Sequence, residues 1–124
     1  MPVDQTTVIN RWFNDVWNNS NDEAIEKLMH KNAISHGLEA HGHLGGPERF
    51  RAFRHHFINS FTNVKVDIEE TVVQNDLEVA RCKVRAIKTS NNEPVNFDGM
   101  CMARIKDGQI VEAWNFFNIP PFGD

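Results

Sequence analysis

The feature that most constrains this 124-residue chain is a change of hydrophobic period near Val64. Before it, apolar residues recur every three or four positions; beyond it they alternate. A helix repeats every ~3.6 residues and a strand every ~2, so the two halves must fold differently.

In the first half, Val8, Ile9, Trp12, Phe13, Val16 and Trp17 form one apolar helical face, which Thr6 or Thr7 can cap. The asparagine-rich "NNSND" ends that helix, and Asn21 or Asp22 can cap a second through "DEAIEKLM". "NAISHG" then reads as a short strand and "GLEAHGHLGG" as a glycine-rich loop. Pro47 suits the first position of a third helix, striped by Phe50, Phe53, Phe57 and Phe61. Beyond it, "VKVDIEETVV", "LEVARCKVRAIKT", "PVNFDGMCMARIK" and "QIVEAWNFFNI" are strand candidates, separated by the turn signals "QND", "SNNE" and "KDGQ". Three helices followed by an antiparallel meander predict an α+β fold with the helices on one sheet face.

Composition sets the remaining bounds. With 40% hydrophobic residues, nine Phe and three Trp, the chain can bury an aromatic core, and its length fits one domain spanning residues 1–124. The formal charge is −4 and basic residues are not massed, which argues against nucleic acid or an anionic membrane as partner. No apolar run reaches membrane-spanning length, and "MPVDQTT" lacks a secretory pattern. Cys82 and Cys101 form no CxxC and no disulfide framework, so a reduced, cytoplasmic protein is the expectation.

The turns suggest strand registers. A two-residue turn at Asn91-Asn92 sets Cys82 opposite Cys101 and Arg85 opposite Asp98. A second at Asp107-Gly108 sets Cys101 opposite Trp114 and Gly99 opposite Phe116. One sheet face then carries Cys82, Val84, Phe97, Cys101, Trp114, Phe116 and Asn118, and suits the helices. The other carries Arg81, Arg85, Asp98, Met100, Met102, Asn115 and Phe117, and suits solvent or a partner subunit. A single bulge would exchange the faces beyond it.

"NDLEVARCKVRAI", followed by "VNFDGMCMARIKDGQIVEAWNFFN", resembles the SnoaL-like polyketide cyclase group of the NTF2-like superfamily. The matching positions are Asp76, Val79, Ala80 and Arg81, then Val95, Phe97 and Gly99, then Arg104, Asp107, Gly108, Ile110, Glu112 and Trp114. "SFTNV" is similar to the family's F-P-D-V, and His36 falls where many members carry a histidine. The resemblance covers nearly the whole chain. It implies an NTF2-like, cystatin-like cone: three N-terminal helices packed on a curved, mainly antiparallel sheet of four to six strands, enclosing a cavity. It also implies a homodimer, for which the outer sheet face with Met100 and Met102 is the expected surface. Two departures bear on activity. The family's terminal aspartate, four residues after the tryptophan, is Asn118 here, and its T-H-x-G segment has no counterpart in "TSNNEP".

The candidate chemistry follows. Asn118 cannot act as an acid, but its amide can hold a carbonyl or enolate oxygen. His36 is the candidate base, since histidine as a residue type suits proton transfer near neutral pH, against the plainer reading of a partly buried histidine. Trp17, Phe53, Phe57, Phe97, Cys101, Trp114 and Phe116 are expected to line the ligand pocket. His36, His41 and His43 form an H-x4-H-x-H cluster, yet the spacing matches no metal motif, so no metal and no cofactor are expected. Cys82 and Cys101 read as small buried core residues, and Arg81 as paired with an acid on the outer face. The leading expectation is cofactor-free acid–base chemistry of isomerase, cyclase, lyase or hydrolase type on an apolar ring or carbonyl compound. The alternative is a non-catalytic dimeric module binding a small hydrophobic ligand.

Overall fold

The computed structural model describes residues 7–37 and 46–120. Its first helix, α1 (Val8–Arg11), runs on without a break into a π-helical segment, Trp12–Asn18. Thr7 caps it, its hydroxyl accepting from the Asn10 N–H at 3.3 Å. Glu78 accepts from the Ile9 N–H at 2.9 Å, tying the helix start to the sheet. The widened segment carries bonds such as Asn19 N–H to the Asn14 carbonyl at 3.0 Å. Such i→i+5 bonding brings residues five apart toward one face. That is how Trp12 and Trp17, which an α-helix would splay, come to line the same space.

Helix α2 (Glu23–Leu28) starts on Asn21, whose Oδ1 accepts from the Glu23 N–H at 3.1 Å; Asp22 makes no such bond. Strand β1 (Met29–His36), helix α3 (Gly46–Ser60) and strands β2 (Phe61–Gln74), β3 (Leu77–Lys88), β4 (Pro94–Lys106) and β5 (Gln109–Phe117) follow. The sheet order is β1-β5-β4-β3-β2, with the β2–β5 meander antiparallel and β1 parallel to β5. Bulges in β2, between Thr62 and Lys65 and between Ile68 and Glu70, bend the sheet around the helices. Thus the predicted α+β architecture of helices on one face of a curved sheet is the observed one.

Both predicted registers need correction. The β3–β4 connection is longer than two residues: Lys88 N–H bonds to the Glu93 carbonyl at 2.8 Å, and Asn92 takes a φ of 58°. Cys82 therefore faces Gly99, Ala80 faces Cys101, and Arg85 faces Asn96 rather than Asp98. A slip of two residues leaves each side chain on its expected face.

The second correction exchanges the faces. Asp107 and Gly108 do form the tight turn, with φ values of 52° and 77°, and Ile105 pairs with Ile110. The next pair is Arg104 with Glu112, leaving Val111 as an extra bulged residue. Beyond it Cys101 faces Asn115 and Met102 faces Trp114. Ala113, Asn115 and Phe117 consequently turn toward the helices, while Glu112, Trp114 and Phe116 turn outward. Phe116 is 68% exposed. Gly99 fits this register: a Cβ there would collide with the Phe116 carbonyl and with Phe117.

The core lies between the helices and the inner sheet face. Trp12 packs edge-on against Phe50 at 4.7 Å, and Phe57 meets Phe61 at 4.9 Å. Asn18 fastens the π-helical segment to β2: its Nδ2 donates to the Val66 carbonyl at 2.9 Å, and its Oδ1 accepts from the Val66 N–H at 2.7 Å. No described helix is long and apolar enough to cross a membrane.

Candidate functional site

The inner face and the helices enclose an apolar pocket. Trp12, Phe13 and Trp17 of the first helix form one wall, and Phe50, Phe53 and Phe57 of α3 another. Val64 and Val66 of β2, Val84 of β3 and Phe97 of β4 make the floor. Asn115 and Phe117 of β5, with Ile119 beyond it, complete the lining. The free space is about 60 Å³, room for about two waters and well under the ~300 Å³ of ordinary ligand sites. Aromatic rings fill the pocket in this state, so a ligand must displace them. Trp17 stands edge-on to Phe57 at 5.3 Å and to Phe50 at 5.8 Å.

Among the described residues, Asn115 is the one lining residue with an amide side chain. Its Nδ2 donates to the His36 carbonyl at 3.0 Å, across the β1–β5 junction. An amide carries two N–H donors and an acceptor oxygen, so one N–H and Oδ1 remain for a ligand. Among the described residues, none that lines the pocket is an acid, a histidine, a lysine or a cysteine. The described wall can thus orient a ligand but offers no proton-transfer group of its own.

The sequence-derived candidates divide between two faces. Trp17, Phe53, Phe57 and Phe97 line the pocket; Cys101, Trp114 and Phe116 do not. Cys101 is buried in the sheet layer, and the Val111 bulge turns Trp114 and Phe116 outward. His36 also lies on the outer face. Its Nε2 is 2.7 Å from Glu112 Oε2, and its ring stacks on Trp114 at 5.6 Å and 17°. Asn118 is exposed beyond the end of β5, bonding to Asp98 through backbone (2.9 Å) and side chain (3.0 Å). The structure therefore brings neither His36 nor Asn118 to the pocket.

Both thiols are unsuited to attack. Burial, with the charge of Glu69 second, pushes Cys82 up to about 12. Burial also raises Cys101, with Cys82 adding to it, and a protonated thiol is a poor nucleophile. Arg81 pairs with Glu70 at 3.0 Å on the outer face. The metal reading rests on His41 and His43, which lie outside the described residues; among those described, no group of three or more ligating side chains gathers.

Sequence reasoning missed Asn115 and Phe117 because it assumed an unbulged β5. It missed Trp12 and Phe13 as lining because a π-helical turn leaves no mark in a 3.6-residue pattern. Gly99 gave no signal in the sequence, because either register sets an aromatic opposite it, Phe116 in the one and Phe117 in the other.

Helices packed on one face of a curved mixed sheet, around an aromatic pocket with one amide in its wall, define a small α+β pocket protein. The chain belongs to the SnoaL-like polyketide cyclase family, whose family model matches residues 7–120. Solved structures agree on the fold. A proposed SnoaL-like polyketide cyclase from Jannaschia sp. CCS1 superposes with a TM-score of 0.79 at 18% identity, covering 90% of this chain and 83% of that one. IdmH, a proposed polyketide cyclase from Streptomyces antibioticus, gives 0.77 at 20% identity, covering 90% and 89%. A proposed polyketide cyclase from Bacillus cereus ATCC 10987 gives 0.78 at 24% identity, covering 90% and 72%. At these identities the likeness carries the fold and not the reaction. No curated protein sequence matches the chain.

Proposed function

We propose that this protein binds a small, mostly apolar ring compound in the aromatic pocket, with Asn115 holding its carbonyl or hydroxyl group. The observation that carries this reading is the composition of the pocket wall: aromatic and aliphatic side chains around one amide with unused hydrogen-bonding capacity. With no acid or base among the described lining residues, the wall acts by selecting and orienting its ligand. Such a role suits a ligand-binding relative of the cyclases, or a protein that holds a reactive chain in one folded shape.

Tryptophan fluorescence tests this, since Trp12 and Trp17 both line the pocket. Acetonaphthone is expected to bind the wild type and to lose about three- to tenfold in affinity in Asn115→Leu, the worth of one hydrogen bond. Naphthalene, without a polar group, is expected to bind both alike. Failure of either probe to bind the wild type would overturn the reading.

One observation favours a second reading, acid–base chemistry on the outer face. His36 is bonded to Glu112 and stacked on Trp114, an arrangement suited to a base, and Asn118 lies just beyond β5, the strand that carries Glu112 and Trp114. Such a base would exchange the methyl protons of acetonaphthone with deuterated water. Equal exchange by wild type and His36→Ala removes this reading.

The outer face also carries exposed Ile34, Met100 and Phe116. We assign it as the contact surface between copies of this chain in a homodimer, in line with its apolar and adaptable side chains.

A further inference from the structure

Trp17 and Val64 border two spaces, the aromatic pocket and a surface groove of about 580 Å³. The groove runs past Asn18, Arg54, Ile58 and Thr62, where the first helix, α3 and the start of β2 meet. The guanidinium carbon of Arg54 stands 5.6 Å from the centre of the Trp17 ring. Its Nε is buried and has no hydrogen-bond partner.

The charge on Arg54 is also unmatched. Arg51, Arg81, Arg85 and Arg104 each pair with a carboxylate, whereas Arg54 forms no ion pair among the described residues. The acid whose charge reaches it, Asp22, is bonded by Arg51 at 3.1 Å. Burial lowers the pKa of Arg54, with Asp22 acting in the opposite sense. A half-buried guanidinium with unused donors, beside an indole, is arranged to receive a planar anion.

We propose that this groove is an oxyanion subsite, in which Arg54 holds the carboxylate of an amphipathic acid whose apolar body passes Trp17 into the pocket. The proposal rests on the reading of the pocket as a ligand site and names the ligand class more closely. A single negative charge fits better than a dianion. Among the described residues, Arg54 is the half-buried cation of the groove, Asp22 acts on it, and exposed Lys65 is screened by solvent.

The test titrates naphthoate, naphthylmethanol and naphthyl phosphate into wild type, Arg54→Met and Arg54→Lys proteins. Arg54→Met is expected to weaken naphthoate about tenfold or more, the worth of a charged hydrogen bond. It should leave naphthylmethanol within about twofold, which also reports that the pocket is folded. Arg54→Lys should recover part of the loss, keeping the charge without the fork. Salt at about 0.5 M should weaken naphthoate and spare the alcohol. Naphthoate binding unchanged in Arg54→Met removes the subsite and leaves the pocket reading standing. Failure of both naphthoate and naphthylmethanol on the wild type removes both readings. Naphthyl phosphate binding as tightly as naphthoate, with the same dependence on Arg54, overturns the carboxylate assignment in favour of phosphate. Should Arg54→Met not fold, naphthoate binding to the wild type that ignores salt overturns the subsite by itself.

Discussion

Two asparagines three residues apart, Asn115 in β5 and Asn118 just beyond it, face opposite sides of the sheet and do different work. Asn118, expected from the resemblance to hold a ligand, is exposed and bonded to Asp98. Asn115 reaches the pocket and bridges β5 to the His36 carbonyl. The cysteines make a separate expectation. A thiol whose folded pKa is raised favours the fold while it stays protonated. The contribution of Cys82 is complete below the free thiol range, about 8.5, and is lost as pH rises through about 12. Urea midpoints are therefore expected to fall above about pH 9, and to fall less in Cys82→Ala. Iodoacetamide should label neither Cys82 nor Cys101 in the folded protein at neutral pH and both in urea. Rapid labelling of the native protein would contradict their burial.

Among the elements, the Val111 bulge decides which side chains of β5 face the pocket. In "VEAWNFFN" both parities carry aromatics: Trp114 and Phe116 on one, Phe117 on the other. Alternation alone favours the larger pair, and nothing in a one-dimensional pattern marks an inserted residue. Packing settles the matter, because Gly99 leaves space for Phe117 and small Ala103 meets small Ala113. Filling that space tests the register. Gly99→Val is expected to cost about 1–3 kcal/mol by overpacking against Phe117, read as a lower urea midpoint. A stability equal to wild type would mean that Phe117 does not lie over Gly99. Other elements were legible because their signals are local: the Thr7 cap, the Asp107-Gly108 turn and the change of period near Val64. The parallel pairing of β1 with β5 was not, since it joins segments some eighty residues apart (Met29 with Ile110) and leaves no local trace.

For the whole molecule, the sheet has two working faces. The inner one, with the helices, makes the aromatic pocket and the Arg54 groove beside it. The outer one exposes Ile34, Met100 and Phe116 next to the ion pairs Arg81–Glu70, Arg85–Asp67 and Arg104–Asp76. Those exposed pairs each contribute at most about 1 kcal/mol, so the apolar residues are the better candidates for holding two copies together. Phe116→Asp is expected to shift the protein from dimer to monomer in sedimentation velocity while leaving its circular dichroism unchanged. A wild type that sediments as a monomer at all concentrations would remove the dimer assignment. The fold was legible in sequence because period and turns specify it many times over. The pocket was only half legible, since Trp17, Phe53, Phe57 and Phe97 follow from their patterns, whereas the β5 members Asn115 and Phe117 depend on one bulge.

The central claim is that the ligand sits on the inner face, against Asn115, and not on the outer face beside His36. Intermolecular nuclear Overhauser effects from the methyl group of bound acetonaphthone test it most directly. Contacts to the Asn115 side-chain amide and to the Phe57 and Phe117 rings are expected. Contacts to Trp114 and His36 instead would contradict it.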